Sequence, residues 1–289
     1  MNLLVRINVA LATGFTIAAL AVGVACSSML RANAKREVLR EASVMMDSAL
    51  ATRAYTEDEI RPLLEAQLRS QFLPQSVPSY GATQDFLKLH DVHPEYAYKE
   101  AALNPTNLRD RATDWEADLI QQFRSDPQAA ELVGERETPL GRSLYLARPI
   151  RAEAACLSCH SVPAAAPATL LARYGNTNGF GWQEQEVVAA QVVSVPLASA
   201  TAQANQIFRS IMVWIVGILA AALLSVNAIL YFLVVRPVRR IAGIADELSI
   251  GHVSAPDFPA RGSTELVGLV RSFNRMRTSL DKALKLLEP

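Results

Sequence analysis

Cys156, Cys159 and His160 fall within one five-residue stretch, CLSCH, of a chain that has three cysteines and four histidines in all. C-x-x-C-H is the spacing of covalent c-type haem attachment. Two thiols add to the two vinyl groups on one porphyrin edge, and the imidazole of the next residue reaches the iron from one face. Cys156 and Cys159 are therefore the expected thioether positions and His160 the expected proximal ligand. Other uses of paired cysteines fit less well. A redox dithiol sits at a helix start in a thioredoxin-like context, which RAEAACLSCHSVPAAAP does not supply. Structural zinc takes four ligands, and the chain has no second cysteine pair. A small-loop disulfide needs only an oxidising compartment.

The compartment follows from two apolar runs without a charged residue, Ile7–Leu30 and Ile211–Val235, each of about 24 residues. A bilayer core takes roughly 20 residues of helix, so both are expected to span a membrane. RANA at Arg31–Ala34 offers a small-x-small cleavage site, but the run before it is longer than the roughly 7–15 residues of a signal core. A lipid anchor on Cys26 would want an aliphatic residue where Gly23 stands. Arg236, Arg239 and Arg240 follow the second run at once and mark its cytoplasmic end. Residues 31–210 are then expected in the periplasm, with the chain crossing the bacterial inner membrane twice. Export raises the haem reading over the others, because c-type attachment in bacteria occurs outside the cytoplasm. The balance of 28 basic and 28 acidic residues gives no reason to expect a nucleic-acid partner.

Between the spans, helical periodicity continues past Arg31: Val38, Met45 and Ala49, with Leu39, Met46 and Leu50, recur at spacings of one face. A turn at Thr56–Asp58 starts a second helix, and LPQSVPSYGAT reads as a loop. Thr113 and Asp114 look like a helix cap, with Trp115, Leu119 and Phe123 on one face. GRSLYLARPI and EVVAAQVVSVPL read as strands. The Ala-, Pro- and Gly-rich insertion between them, Arg151–Glu186, holds CLSCH, and a long connection of this kind is usually functional. The fold class is α+β: helices before strands in an extracytoplasmic domain flanked by two membrane helices.

Candidates for the sixth iron position on the outer side are Met45, Met46, His90 and His93; His252 is on the far side, and Cys26 is in the membrane. Met45 and Met46 also read as core fillers, and His93 as a loop histidine. Beyond the second span, Val234, Val238, Ile241, Ala245 and Leu248 form one heptad seam. Leu266, Leu269, Phe273, Met276, Leu280, Ala283 and Leu287 form another. A linker with Gly251, Pro256, Pro259 and Gly262 separates them. Two copies of such a pair would close a four-helix bundle.

Residues 236–287 resemble a HAMP domain in Pro237, Gly251, Glu265 and SFNRM at Ser272–Met276, with Thr264 in place of the usual Asp. The outer segment resembles the c-type haem family of PAS-like periplasmic sensor domains. The residues that carry this are RAYT at Arg53–Thr56, PEYAYKEAALNPTN at Pro94–Asn107, DRATDWE at Asp110–Glu116, CLSCH, GFGW at Gly179–Trp182 and QVVSVP at Gln191–Pro196. The resemblance implies a PAS-like domain over residues 31–208 with covalently bound c-type haem, between spans at 7–30 and 211–235, and a helical HAMP bundle over 236–289. It also implies a distal ligand from the first outer helix, best matched by Met46. The function expected is a non-enzymatic membrane sensor of redox state or a small gas. Signals would pass through a HAMP homodimer to a separate cytoplasmic partner such as a histidine kinase or chemotaxis-type protein. The alternative is an anchored electron-transfer cytochrome, which needs no HAMP; a haem peroxidase would need a distal acid–base set that the sequence does not offer.

Overall fold

An uninterrupted helix, α1, runs over Leu3–Tyr55, through the first apolar run and on for about 40 Å at 1.5 Å per residue. It leads through a π-helical step at Thr56–Ile60 into α2 (Arg61–Leu68). The computed structural model describes residues 3–139, 141–249 and 264–285. Contacts divide the chain into two units, Ala25–Phe208 and the pair Met1–Val24 with Arg209–Pro289.

In the first unit the elements after α2 are α3 (Pro78–Val92), β1 (Ala97–Ala102), α4 (Asp114–Ser125), β2 (Leu132–Thr138), β3 (Gly141–Arg151), α5 (Ala154–His160), α6 (Ala168–Tyr174) and β4 (Val187–Pro196). The strands form one antiparallel sheet in the order β1-β4-β3-β2. β4 is central and covered on both faces, which is why its sequence is apolar almost throughout instead of alternating. Val38, Ala42, Met46 and Ala49 of α1, with Ala82 and Phe86 of α3, pack on Leu144, Leu146, Val193 and Val195. On the other face Leu119, Ile120 and Phe123 of α4 pack on Ala147, Ala190 and Val192. Burying side chains of this size is worth about 1.5–3 kcal/mol each, and both faces of the sheet draw on it.

Two expectations need adjustment, and the cap expected at Thr113 is present. The segment read as a loop around LPQSVPSYGAT ends early, because Pro78 sits at the first helical position of α3, where its missing N–H costs nothing. Two strands, β1 and β2, join the two expected from periodicity. At the cap of α4, Glu116 takes the Thr113 N–H at 2.8 Å, the reciprocal half of a capping box, and also the Lys99 ammonium of β1 at 2.7 Å.

β4 passes into α7 (Ala198–Leu230) through a single residue. Leu197 is buried, its N–H donates to the Arg142 carbonyl at 2.9 Å, and its own carbonyl takes the Thr201 N–H at 2.9 Å.

In the second unit, α7 is followed by a π-helical step at Tyr231–Val235, then α8 (Arg236–Ser249) and α9 (Thr264–Lys285). Both expected spans lie in helices long and apolar enough to cross a membrane. Asn8 and Asn227 exchange side-chain amide hydrogen bonds at 2.9 and 2.7 Å between α1 and α7. Ile241, Ile244 and Val270 form a small core with Ala245 and Phe273. The seam residues Val238, Leu269 and Met276 are exposed. Gly251, His252, Pro256, Pro259, Gly262 and Leu287, with the side chains of Leu248, Glu265, Leu266, Leu280 and Ala283, lie outside the described residues.

Candidate functional site

α5 is about two turns long, and it is built from the motif itself, AACLSCH. Helical spacing of three and four residues puts Cys156, Cys159 and His160 on one face. All three are half-buried, and both thiols are free.

His160 is the most constrained of the three. Its Nδ1 lies 2.7 Å from the Gly179 carbonyl oxygen. A carbonyl only accepts, so Nδ1 carries the proton and Nε2 keeps its lone pair. The Thr106 hydroxyl stands 3.5 Å from the same Nδ1. The imidazole stacks on the Trp182 indole, centroids 3.9 Å apart and planes within 11°. The main chain follows the same path: Gly181 N–H donates to the Ser161 carbonyl at 2.8 Å, and Trp182 N–H donates to the His160 carbonyl at 3.2 Å. Gly179 has φ +81°, and a Cβ there would collide with the Thr106 side chain, so this close pass needs glycine. Three of the segments singled out in the sequence, NPTN, CLSCH and GFGW, thus meet around one imidazole.

Burial lowers the His160 pKa from its ordinary value, outweighing the raising effect of the Gly179 bond. The ring is held neutral, in one tautomer, with one free nitrogen. That is the form in which a histidine binds a metal, and a backbone carbonyl on the other nitrogen is the usual device for orienting it. The donor set of one neutral imidazole and two free thiols on a helix face fits a covalently attached haem. It does not fit structural zinc, which takes four ligands; among the described residues no group of three or more His, Cys, Asp or Glu is placed to hold a metal ion.

A buried polar chain lies beside the motif. Arg53, in the last turn of α1, pairs with Glu100 of β1 at 2.5 Å. Tyr98 donates to the same carboxylate at 2.7 Å, and Gln191 of β4 donates to the Tyr98 hydroxyl at 3.1 Å. Burial first, then the Glu100 charge, drive the Tyr98 pKa far above the usual phenol range. Arg53 keeps its proton still more firmly than usual: burial alone would lower its pKa, but Glu100 raises it further, with a smaller contribution from Cys156. A shallow cleft between α2 and α5 is lined by Glu57, Arg61, Glu65, Ala155 and Ser158.

The sixth-position candidates lie on α1 and at the end of α3. Met46 is fully buried and Met45 nearly so, both in the core that α1 and α3 make with β3 and β4. His90 and His93 are exposed; the first bonds the Tyr96 carbonyl at 2.9 Å, and the second lies 3.5 Å from Glu95. Sequence reasoning did not assign Arg53 or Trp182 a part, although both lie in segments that carry the family resemblance.

Two apolar spans, an α+β domain between them and a helical pair after the second define a membrane-anchored sensor layout. Residues 31–196 match the Tll0287-like family and residues 230–282 match the HAMP domain. The first match covers more than half of the 289 residues, and the chain belongs to the Tll0287-like family. Among solved structures, the chain is similar to the cyanobacterial heme-protein Tll0287, at 15% identity and TM-score 0.44 over 55% of this chain and 95% of that one. No curated protein matches.

Proposed function

We propose that this protein is a two-pass inner-membrane sensor whose periplasmic domain carries a covalently attached c-type haem. Cys156 and Cys159 would hold the haem through thioethers, and His160 would bind its iron. The observation that carries the reading is the pinned imidazole: Nδ1 is committed to Gly179 and Nε2 is left free, immediately after a C-x-x-C pair on the same helix face. When bound, haem supplies an iron whose oxidation state or coordination answers to redox conditions or a small gas.

The chain's own residues supply the rest. α5 presents the thiols, Gly179 fixes the tautomer, Trp182 fixes the ring plane, and Arg53 with Glu100 ties the end of α1 to β1 beside the motif. A sensor also needs an element with two arrangements that the stimulus biases. The HAMP helices α8 and α9 are that element in this proposal. Exposed Val238, Leu269 and Met276 suit burial against a second copy, and output would pass to a cytoplasmic signalling partner.

The test is a denaturing gel of the full chain, made with a working c-type maturation system and stained for bound haem. Wild type should stain. Cys156→Ala with Cys159→Ala should not, and His160→Ala should alter the absorption of both redox states. A colourless wild-type band overturns the proposal. Deletion of residues 236–289 separates a sensor from an electron carrier: loss of haem reduction with no change in any regulated response would favour the carrier.

A further inference from the structure

We infer that Trp182 is a positioning residue for the His160 imidazole, setting the ring's rotation about its bond to iron and joining it mechanically to β4. This rests on the proposal that His160 binds haem iron. Three independent observations lead to it. The two rings are stacked, with planes within 11° of parallel and centroids 3.9 Å apart, so the imidazole cannot turn its plane without displacing the indole. The Trp182 N–H holds the His160 carbonyl, so ring and backbone are gripped by the same residue. The indole also packs in the small core of Ala102, Ala152, Val188 and Ala189, two of which open β4. Trp182 thus touches both the imidazole and a small core to which β4 contributes Val188 and Ala189.

The chemical consequence is general. The plane of an axial imidazole decides which iron d orbital its π system meets, and outer partners of a ligating histidine tune the metal through it. The Gly179 bond alone fixes the tautomer but leaves the ring free to swing about the Nδ1–carbonyl contact; the stack removes that freedom. Any turn of the ring would displace the indole and so press on the small core it packs against.

The test uses the full haem-loaded chain in detergent and two variants. Trp182→Leu keeps apolar bulk and removes the ring face; Trp182→Phe keeps a ring face. Haem staining reports attachment, and electron paramagnetic resonance of the ferric state, with a redox titration, reports axial geometry. All three proteins should stain equally. Trp182→Leu should shift or broaden the g values and move the midpoint potential, and Trp182→Phe should restore both at least half-way towards wild type. A merely structural role for the indole would move stability but neither of these readouts. Equal staining with superimposable spectra and equal midpoints overturns the inference and leaves the haem proposal standing. A wild-type chain without haem overturns both.

Discussion

Replacing Arg53 by methionine tests whether the polar chain beside the motif holds α1 to the sheet. The substitution leaves the Glu100 carboxylate, 5% exposed, with only the Tyr98 hydroxyl as partner. Removing one member of a buried ion pair costs about 3–5 kcal/mol. The Arg53 side chain is itself 25% exposed, so water reaches part of the vacated space and the lower end, about 3 kcal/mol, is expected. For a domain of this size that corresponds to roughly 6–12 °C in Tm. Glu100→Gln, which keeps a hydrogen-bonding group and lets Arg53 hydrate, should cost about 1–2 kcal/mol. The double variant should fall well short of the sum, since the two charges no longer wait for each other. Trp115 and Trp182 both lie in the unit Ala25–Phe208, so intrinsic fluorescence of the detergent-solubilised chain follows its unfolding. A loss below about 1 kcal/mol for Arg53→Met, or strict additivity in the double variant, would refute the assignment of a buried, coupled pair.

Other expected outcomes follow from single contacts. Met46→Leu is close to volume-conserving; as a core residue it should cost less than about 1.5 kcal/mol and leave the haem absorption unchanged, whereas a spectral change would make Met46 a ligand. The Tyr96 hydroxyl donates to Glu41 at 2.5 Å, and that bond, with burial and the carboxylate's charge behind it, pushes its pKa up to about 12. A raised acid favours the protonated fold, so this contribution is full below about pH 10 and is lost as the pH rises to about 12. Tyr96→Phe should flatten the stability profile over that interval, measured by thermal unfolding at stepped alkaline pH. Asn227→Leu removes the amide exchange with Asn8 and should weaken the helix pair by about 0.6–2 kcal/mol; oxidative cross-linking of an Asn8→Cys, Asn227→Cys chain, made without Cys26, should form an intrachain bond if the pair persists in membranes.

Which features were legible from the sequence follows physical range. CLSCH, the apolar spans and the α4 cap are local patterns, decided by spacing along one segment. β3 and β4 were readable because they are long and carry apolar runs, leucine and tyrosine in β3 and valine in β4. β1 and β2 were not: they are the two edges of the sheet, and AYKEAA and LVGERET are too polar to announce strands. Their pairing is set by the neighbours they complete. The grip on His160 depends on Thr106, 54 positions before it, and on Gly179, 19 positions after it, with Trp182 in the same GFGW segment. Periodicity carries no trace of such a meeting; only the family resemblance had picked out the segments. The Asn8–Asn227 exchange spans 219 positions and was equally out of reach.

The join between β4 and α7 has a mechanical consequence. Strand and helix are separated by Leu197 alone, clamped by hydrogen bonds on both of its peptide groups. No soft segment stands there to soak up a displacement. A small tug or twist at Pro196 is handed undamped to Ala198, and the start of the helix, with no hinge before it, is where such motion would first become visible.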